Sequence, residues 1–516
     1  MPYESRTKKS ILNARVNLIF YFLSLILSFF SRKIFLEMLG ADFMGLTGTL
    51  LSILSFLNLA ELGIGAAISI FLYKPLQANK KTEMSELISL FGYIYQKIGY
   101  IIAAGGIIVS ISFPFIFKNT SLNICIIYYT FYCYLCASLI GYFINYRQIL
   151  LTADQKNYVV TAYFQTASII KTLIQIALAL YYKNLYLWIT LELIFSILSC
   201  IILNTKINQE YPWLQTNLKR GKELLKKYPK VLAMTRQIFI HRLKDFLLNR
   251  SDEIMIFAFV SLKMVAYYGN YSLIITKINQ LIATVLNSVD AGIGNLVAEG
   301  DKEKIEKVFW ELMAIRYFFS GVVVFSLYQL IDPFITLWLG SNYVLSHTVL
   351  TLLLITVFIM QTRGVIDIFN HAYGQYADVW AAWTEGGINL IITVICGTLW
   401  GISGILLGKI VSLVPIIVIW KPYYLYSEGF KENIKVYWKE VGKYYIIFSI
   451  CFLCFNLISS ALPVSPAESF KSLLIYSLCT IIPFAICYFL LLLYYSKGMK
   501  YIINRFSFIK KFIRRT

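Results

Sequence analysis

Charged side chains are scarce in this sequence of 516 residues, at 14% of the total, and histidine occurs only 3 times. Hydrophobic residues make up 58% of the chain, and the mean hydropathy is +0.67. A soluble domain of this length does not need so much apolar surface for its core. The composition therefore argues against that class and indicates a polytopic membrane protein.

Residues that carry common enzyme chemistries are also missing. The histidines, His241, His347 and His371, do not stand at metal-ligand spacing. No Walker A pattern is present, which argues against direct drive by ATP, and there is no nucleophile elbow. The two C-x-x-C pairs, which begin at Cys133 and Cys451, lie within apolar runs, where packing accounts for them better than redox or metal chemistry. We therefore expect no enzyme activity, no metal site and no cofactor.

About fourteen apolar runs are present, each long enough for a membrane helix of roughly 20 residues. Their approximate ranges are 12–36, 43–73, 88–117, 123–151, 157–182, 185–206, 237–260, 264–298, 308–331, 347–373, 378–400, 403–424, 442–462 and 470–495. Such continuous runs differ from the alternating strands of an outer-membrane barrel. The predicted fold class is an all-α polytopic membrane protein with about 14 transmembrane helices.

The net charge of +20 is distributed unevenly along the chain. If the amino terminus lies inside, the inside segments hold about 31 Lys and Arg and the outside segments about six. This asymmetry predicts an even number of helices with both termini in the cytoplasm. The positive charge is thus expected to contact anionic membrane lipids, and no nucleic-acid partner is predicted.

Two similar stretches lie in separate apolar runs: N-L-A-E-L-G-I-G at residues 58–65 and N-S-V-D-A-G-I-G at residues 287–294. Each precedes a charged loop, and Glu61 of the first stretch matches Asp290 of the second. They predict an internal repeat whose copies are related by a parallel pseudo-two-fold along the membrane normal. The glycines predict close helix packing. The two carboxylates are consistent with a gate or structural ion pair, or with a coupling-ion site.

The longest cytoplasmic connection is basic and spans about residues 207–236, with about six helices before it and eight after. We expect an N-terminal lobe of helices 1–6 at residues 1–206 and a C-terminal lobe of helices 7–12 at residues 237–424. Residues 425–516 then form two extra helices and a basic cytoplasmic tail.

These features resemble the polysaccharide flippases of the multidrug/oligosaccharidyl-lipid/polysaccharide (MOP) exporter superfamily. The resemblance rests on two six-helix lobes, a basic loop between them, an added helix pair, the stretch L-N-L-A-E-L-G-I-G and the opening S-I-L-N-A-R-V-N-L. It spans nearly the whole chain and is strongest over residues 10–85. It implies a flippase of the bacterial inner membrane that moves undecaprenyl-pyrophosphate-linked oligosaccharide units by alternating access. Such units build O-antigen, lipopolysaccharide or capsule, and the implied partners are the polymerase and glycosyltransferases of the same pathway.

Two alternatives stay open. A cation-coupled multidrug exporter of the same superfamily would share the fold, although the extra helix pair and a basic cavity count against it. A membrane O-antigen polymerase or glycosyltransferase would be expected to carry a large periplasmic loop. The longest outside loop here covers only about residues 332–346.

A pyrophosphate that crosses the membrane needs cations in its path, because an unpaired charge there is costly. In the superfamily's architecture, helices 1, 2, 7 and 8 line the central cavity. The cation candidates for pyrophosphate binding are Lys277, Arg15, Arg250 and Arg363. The uncharged candidates for the cavity are Asn17, Asn249, Gln280, Thr284 and Asn287.

Carboxylates within the apolar runs are candidates for a gate or for a coupling ion, and the residue types do not choose between Na⁺ and H⁺. These candidates are Asp252, Glu253, Asp367, Glu385, Glu61 and Asp290. Arg363, Asp367 and His371 stand at i, i+4 and i+8 on one helix face, which predicts either a self-neutralising network or an ion relay.

Overall fold

The fold is described from a computed structural model, over residues 6–61, 64–154, 156–231, 235, 252–286, 290–375 and 378–505. These residues form helices joined by short connections, and they include no β-strand. The predicted all-α fold class is thereby confirmed.

The chain divides into two compact units, Met1–Ala266 and Tyr267–Thr516. The helices of the first unit are α1 (Arg6–Leu39), α2 (Ala41–Leu57), α3 (Ile64–Gln77), α4 (Lys81–Ile111), α5 (Phe113–Ile116), α6 (Ile124–Phe143), α7 (Ile149–Ala153), α8 (Asn157–Tyr182), α9 (Leu185–Glu210), α10 (Gly221–Lys227) and α11 (Asp252–Phe259).

Helix α12 (Leu262–Leu286) crosses the boundary between the units. The helices of the second unit are α13 (Asp290–Glu299), α14 (Lys302–Leu339), α15 (His347–Thr362), α16 (Gly364–Ala372), α17 (Val379–Leu413), α18 (Lys421–Tyr424), α19 (Ile434–Ser460), α20 (Phe470–Tyr495) and α21 (Lys497–Arg505). Two π-helical segments, Val414–Trp420 and Leu425–Phe430, flank α18.

Within the described ranges, 10 helical segments are long and apolar enough to cross a membrane. Most of the predicted run 378–400 and all of the run 403–424 fall in one such segment, Trp383–Phe430. The count of fourteen, the lobe boundaries and the pseudo-two-fold stay predictions. Residues 62–63 and 287–289, which belong to the repeated stretches, lie outside the described residues.

Helix α17 folds back on itself at Gly401, whose φ of 55° and ψ of −130° favour glycine. Gly408 and Thr393 would lie about 22 Å apart along a straight helix. Instead, a Cβ built on Gly408 would be 2.5 Å from the Thr393 hydroxyl oxygen. The two arms of α17, before and after Gly401, therefore form a tightly packed hairpin.

In the first unit, the described part of the basic connection packs against α4. Lys227 Nζ lies 2.6 Å from the carboxylate of Glu86, and the backbone N–H of Asn217 donates to the hydroxyl of Ser89. These contacts fix the connection to one end of the helices, on the side where α4 begins.

In the second unit, the extra helices α19 and α20 pack on the long helix α14. Gln329 of α14 donates to Asn456 of α19 and accepts from Tyr476 of α20. The rings of Phe325 and Phe484 stack with centroids 4.0 Å apart. The aromatic share of 16% is thus used partly to join helices whose polar groups are few.

Candidate functional site

Several candidate residues cannot be located in the described structure. Three lie outside the described residues altogether: Asn249, Arg250 and Asn287. Three more have a helical backbone but side chains that are outside the description: Glu61, Thr284 and Asp290. Their predicted roles stay predictions.

The remaining candidates of the first unit lie on α1 and α11. Arg15 and Asn17 are exposed on α1, while Asp252 and Glu253 are half-buried at the start of α11. The hydroxyl of Ser52 on α2 donates to a carboxylate oxygen of Glu253 over 2.6 Å. Glu253 is therefore held between two helices that are distant in sequence.

Glycines allow α2 to approach this segment closely. A Cβ on Gly45 would lie 1.8 Å from the backbone oxygen of Leu262, a distance that no side chain tolerates. From α1, the guanidinium of Arg32 donates to the backbone oxygen of Ala266 over 2.9 Å. The segment from Glu253 to Ala266 is thus held by three separate contacts with α1 and α2.

In the second unit, Lys277 is half-buried on α12 and Gln280 is exposed. The neighbouring Asn279 belongs to a chain of amides and hydroxyls. Its side-chain oxygen accepts from Gln361 of α15 over 2.7 Å, and Gln361 accepts in turn from Ser320 of α14 over 3.3 Å. This polar connection joins three helices, and Lys277, two residues before Asn279, lies on a different face of α12.

Arg363 and Asp367 form an ion pair, with Nε and Oδ2 2.7 Å apart. The predicted i, i+4 neighbours do meet, and this geometry favours the self-neutralising network. The next residue after Arg363 is Gly364, against which the guanidinium of Arg316 packs at 3.1 Å from the position of a Cβ. Arg316 is buried on α14 and was not predicted as a site residue.

Glu385 is fully buried on the first arm of α17, with an exposed fraction of 0%. Asn389 and Thr393 follow at one-turn intervals on the same face, and the Thr393 hydroxyl donates to the Asn389 side chain over 3.0 Å. On the second arm, Lys409 is buried as well.

Sequence analysis also missed an ion pair between α8 and α9. Lys171 Nζ lies 2.6 Å from one oxygen of Glu192, and the amide of Gln175 donates to the other oxygen over 2.9 Å. The sequence does point to these residues, because Lys171 and Glu192 are charged side chains within apolar runs. Which faces of the two helices meet could not be read from that pattern.

Within the part of the chain that the structure describes, no group of three or more His, Cys, Asp or Glu side chains is placed to hold a metal ion. The charged groups occur instead as single carboxylates and ion pairs between helices. Such groups inside a membrane span are costly, and they commonly mark a substrate or ion path.

The described residues define a polytopic α-helical membrane protein with ionisable groups embedded between its helices. No family model and no curated protein matches the sequence. Solved structures do match. The chain superposes on the Lipid II flippase MurJ, in an inward closed conformation, with a TM-score of 0.64 and 15% identity. That alignment covers 93% of this chain and 99% of MurJ.

A second solved structure with the same kind of fold is a multidrug resistance MATE family transporter of the MOP superfamily, in an inward-facing conformation. Its TM-score is 0.56 at 14% identity, and the alignment covers 81% of this chain and 98% of the transporter. At these identities the comparisons establish the fold, which this chain shares with MurJ and with the MATE transporter.

Proposed function

We propose that this chain is a flippase of the bacterial inner membrane that moves an undecaprenyl-pyrophosphate-linked oligosaccharide unit to the periplasmic leaflet. The supporting observation is the alignment over 93% of this chain with a protein named as a lipid flippase. The sequence resemblance to polysaccharide flippases supports the finer assignment to O-antigen or capsule units. The partners would be the lipid-linked oligosaccharide, membrane lipids and the polymerase and glycosyltransferases of that pathway.

Lys277 is the leading candidate for binding the pyrophosphate. It is half-buried on α12, and Gln280 at i+3 lies on the same helix face, where its amide would offer a further donor to a sugar or phosphate oxygen. Arg15 on α1 and Arg250 are the next candidates. Arg363 ranks last, because its guanidinium is already engaged by Asp367 and would have to leave it.

The carboxylates would serve the conformational cycle. Asp252 and Glu253 lie at the crossing with α2, where Glu253 accepts from Ser52, and we assign these two to a gate. Asp367 and Glu385 are the candidates for coupling transport to an ion gradient of Na⁺ or H⁺. Alternating access would then link substrate release to the charge state of a buried carboxylate.

Complementation of a deletion strain tests the proposed function. We expect the strain to accumulate lipid-linked repeat units and to lose surface polysaccharide, and the wild-type chain to restore export. Losing one phosphate contact costs about 1.5–3 kcal/mol, or roughly ten- to a hundredfold in apparent affinity. Lys277→Ala combined with Arg15→Ala should therefore abolish export at limiting expression.

Lys118→Ala is the matched control, because Lys118 is exposed in a connection between helices and should be dispensable. Immunoblots of membranes establish equal protein levels. Export at the parental rate by the double variant would refute the assignment of these cations, and an unchanged deletion strain would refute the flippase itself.

A multidrug exporter is the second candidate, favoured by the MATE alignment over 81% of this chain. The alignment with that transporter leaves about one-fifth of this chain without a counterpart, whereas the alignment with MurJ covers 93% of this chain. Accumulation of a fluorescent cationic dye in cells distinguishes the two, since only an exporter lowers it.

A further inference from the structure

The second unit contains an apolar cavity of about 580 Å³ bounded by α14, α15, α19 and the π-helical segment Val414–Trp420. Apolar side chains from three of these elements line it and are also open to the surroundings: Ile355 is 41% exposed, Leu453 62% and Val414 37%. The cavity is therefore a groove that is open along one side, and it is called the α19 groove below.

Aromatic rings line much of the α19 groove. The ring of Phe448 lies 4.8 Å from that of Phe358 and 5.7 Å from that of Phe452, measured between centroids. The ring of Phe452 lies 4.8 Å from that of Tyr328. The described lining includes no charged side chain. Apolar walls of this kind stay dry, and unfilled space beside them would forfeit dispersion contacts, so an apolar molecule is the expected occupant.

The length of the α19 groove matches one leaflet of a bilayer. Its lining residues run from Thr351 to Ile359 along α15 and from Tyr445 to Leu453 along α19. At 1.5 Å per residue, each of these stretches is about 12 Å long. The hydrocarbon core of a bilayer is about 30 Å thick, so one leaflet contributes about 15 Å. One acyl chain of a phospholipid therefore fits the groove, whereas an undecaprenyl chain is far longer than the groove.

Polar atoms lie at the end of the α19 groove that is nearest to the start of α15. The hydroxyl of Tyr328 and Nε2 of His347 lie 2.9 Å apart, and Thr351 lines the groove one turn further along α15. The charge asymmetry predicts that α15 begins on the periplasmic side. Tyrosine combines an apolar ring with a polar tip, which suits the level at which the ester and phosphate groups of a lipid lie.

We propose that the α19 groove binds one acyl chain of a phospholipid from the periplasmic leaflet, with the ester and phosphate groups of that lipid next to Tyr328 and His347. The chain completes the packing between α19, α15 and Val414–Trp420. It is held more firmly than the surrounding lipid because aromatic and aliphatic side chains contact it on several sides. This inference goes beyond the proposed function, since the bound phospholipid is a resident of the protein and is not transported.

Photolabelling of the purified full-length protein in detergent tests the inference. The probe is a phosphatidylethanolamine that carries a diazirine in one acyl chain, and mass spectrometry of peptides locates the label. We expect the label on the stretches 351–359 and 445–453. An excess of unlabelled phosphatidylethanolamine should remove most of this label, whereas the same excess of undecaprenyl phosphate should remove little of it.

Two variants that fill the α19 groove and one matched control complete the experiment. Ser449 lines the groove and is exposed, so the ring of Ser449→Phe would occupy the space of the acyl chain and most of the label should be lost. Val414→Phe fills the groove from the π-helical segment and replaces Ser449→Phe if that variant does not fold. Cys454→Phe adds the same ring at an exposed position of α19 that is not part of the described lining, and it should keep the label.

Label spread evenly over the exposed apolar surface of the wild type would overturn the inference, and so would label that folded groove-filling variants retain. Stronger displacement by undecaprenyl phosphate than by phosphatidylethanolamine would also overturn it, because the groove would then hold a polyprenyl chain. None of these outcomes depends on polysaccharide export. The flippase assignment and the phospholipid site can therefore fail separately.

Discussion

The hydroxyl of Ser52 and the carboxylate of Glu253 lie 2.6 Å apart, although 201 residues separate them in sequence. The bond joins α2 to α11, and Gly48 of α2 lies beside the same carboxylate, 3.4 Å from its Oε2 atom to the position of a Cβ. A hydrogen bond to a charged group in such a site contributes about 1.5–3 kcal/mol.

Ser52→Ala should therefore lower the melting temperature of the purified protein by about 1–3 °C. Glu253→Gln keeps an acceptor and should have a smaller effect. Ser55→Ala is the control, because Ser55 is on the same helix but bonds only to the backbone oxygen of Leu51 in the exposed environment. Equal melting of the Ser52 and Ser55 variants would show that the bond contributes nothing.

Two glycines of α17 should respond differently to the same substitution. A Cβ at Gly408 would meet the Thr393 backbone nitrogen at 2.6 Å, whereas a Cβ at Gly386 has no atom within 4 Å. Gly408→Ala should reduce the yield of folded protein and lower its melting temperature. Gly386→Ala should be neutral or slightly stabilising, because alanine favours a helix. Size-exclusion profiles in detergent measure both, and a harmless Gly408→Ala would refute the tight hairpin.

The ion pair between Lys171 and Glu192 should be sensitive to loss of one partner. Its side chains are 18% and 20% exposed. Lys171→Met leaves the carboxylate without its cation and should cost about 3 kcal/mol, whereas Lys171→Met/Glu192→Leu should recover most of the stability. Thermal unfolding of the single and double variants measures the coupling.

The exposed pair of Lys33 and Glu37, 4.0 Å apart, is the reference for this experiment. Removal of an exposed pair changes the free energy of unfolding by less than about 1 kcal/mol. A coupling between Lys171 and Glu192 no larger than that of the reference would contradict the prediction.

A cluster outside the membrane spans predicts a dependence on alkaline pH. Lys156 lies 2.6 Å from Glu210 and 2.9 Å from Asp154. Partial burial lowers the pKa of Lys156, but its hydrogen bonds to Glu210 and Asp154 outweigh this, and the pKa rises above its ordinary value of 10.5. A raised lysine pKa stabilises the folded state fully below about pH 10.5, and this contribution is lost as the pH rises through the folded-state pKa.

The melting temperatures of the wild type and Lys156→Met should therefore differ by a constant amount from about pH 7 to pH 9 and converge above about pH 10.5. Lys118→Met, in an exposed connection, corrects for general effects of alkali. A difference in melting temperature that grows with increasing pH would contradict the prediction, because the raised pKa of Lys156 requires this difference to shrink.

The charge asymmetry predicts the topology in the membrane. In a cysteine-free background, Ser465→Cys should react with a membrane-impermeant maleimide in intact cells. Lys222→Cys, in the connection that packs on α4, should react only after permeabilisation. Both positions are exposed in the structure, so the accessibility of the side chain itself is matched. Labelling of Lys222→Cys in intact cells would show that the chain has the opposite orientation in the membrane and would contradict the prediction.

Local patterns in the sequence were sufficient to predict the part of this structure that depends on neighbouring residues. Hydropathy located the spans, and helical periodicity brought Arg363 next to Asp367, because Arg363 keeps helical backbone angles at the junction of α15 and α16. The fold-back at Gly401 also lies between two predicted runs, 378–400 and 403–424.

Contacts between distant segments could not be obtained in this way. The pairing of Lys171 with Glu192 depends on which faces of α8 and α9 meet, and that of Ser52 with Glu253 depends on how α2 crosses α11. The burial of Lys409 likewise appears only when the second arm of α17 is folded against the first.

The bend at Gly401 also has a consequence for how the chain enters the bilayer during synthesis. A lone lysine or glutamate at the centre of an inserting helix costs about 2.5–3.5 kcal/mol on insertion scales. Glu385 and Lys409 leave the ribosome within a few seconds of each other at the usual rate of elongation. Since Gly401 joins the two arms directly, they can leave the translocon as one hairpin with one acidic and one basic side chain, and not as two helices that each carry a lone charge.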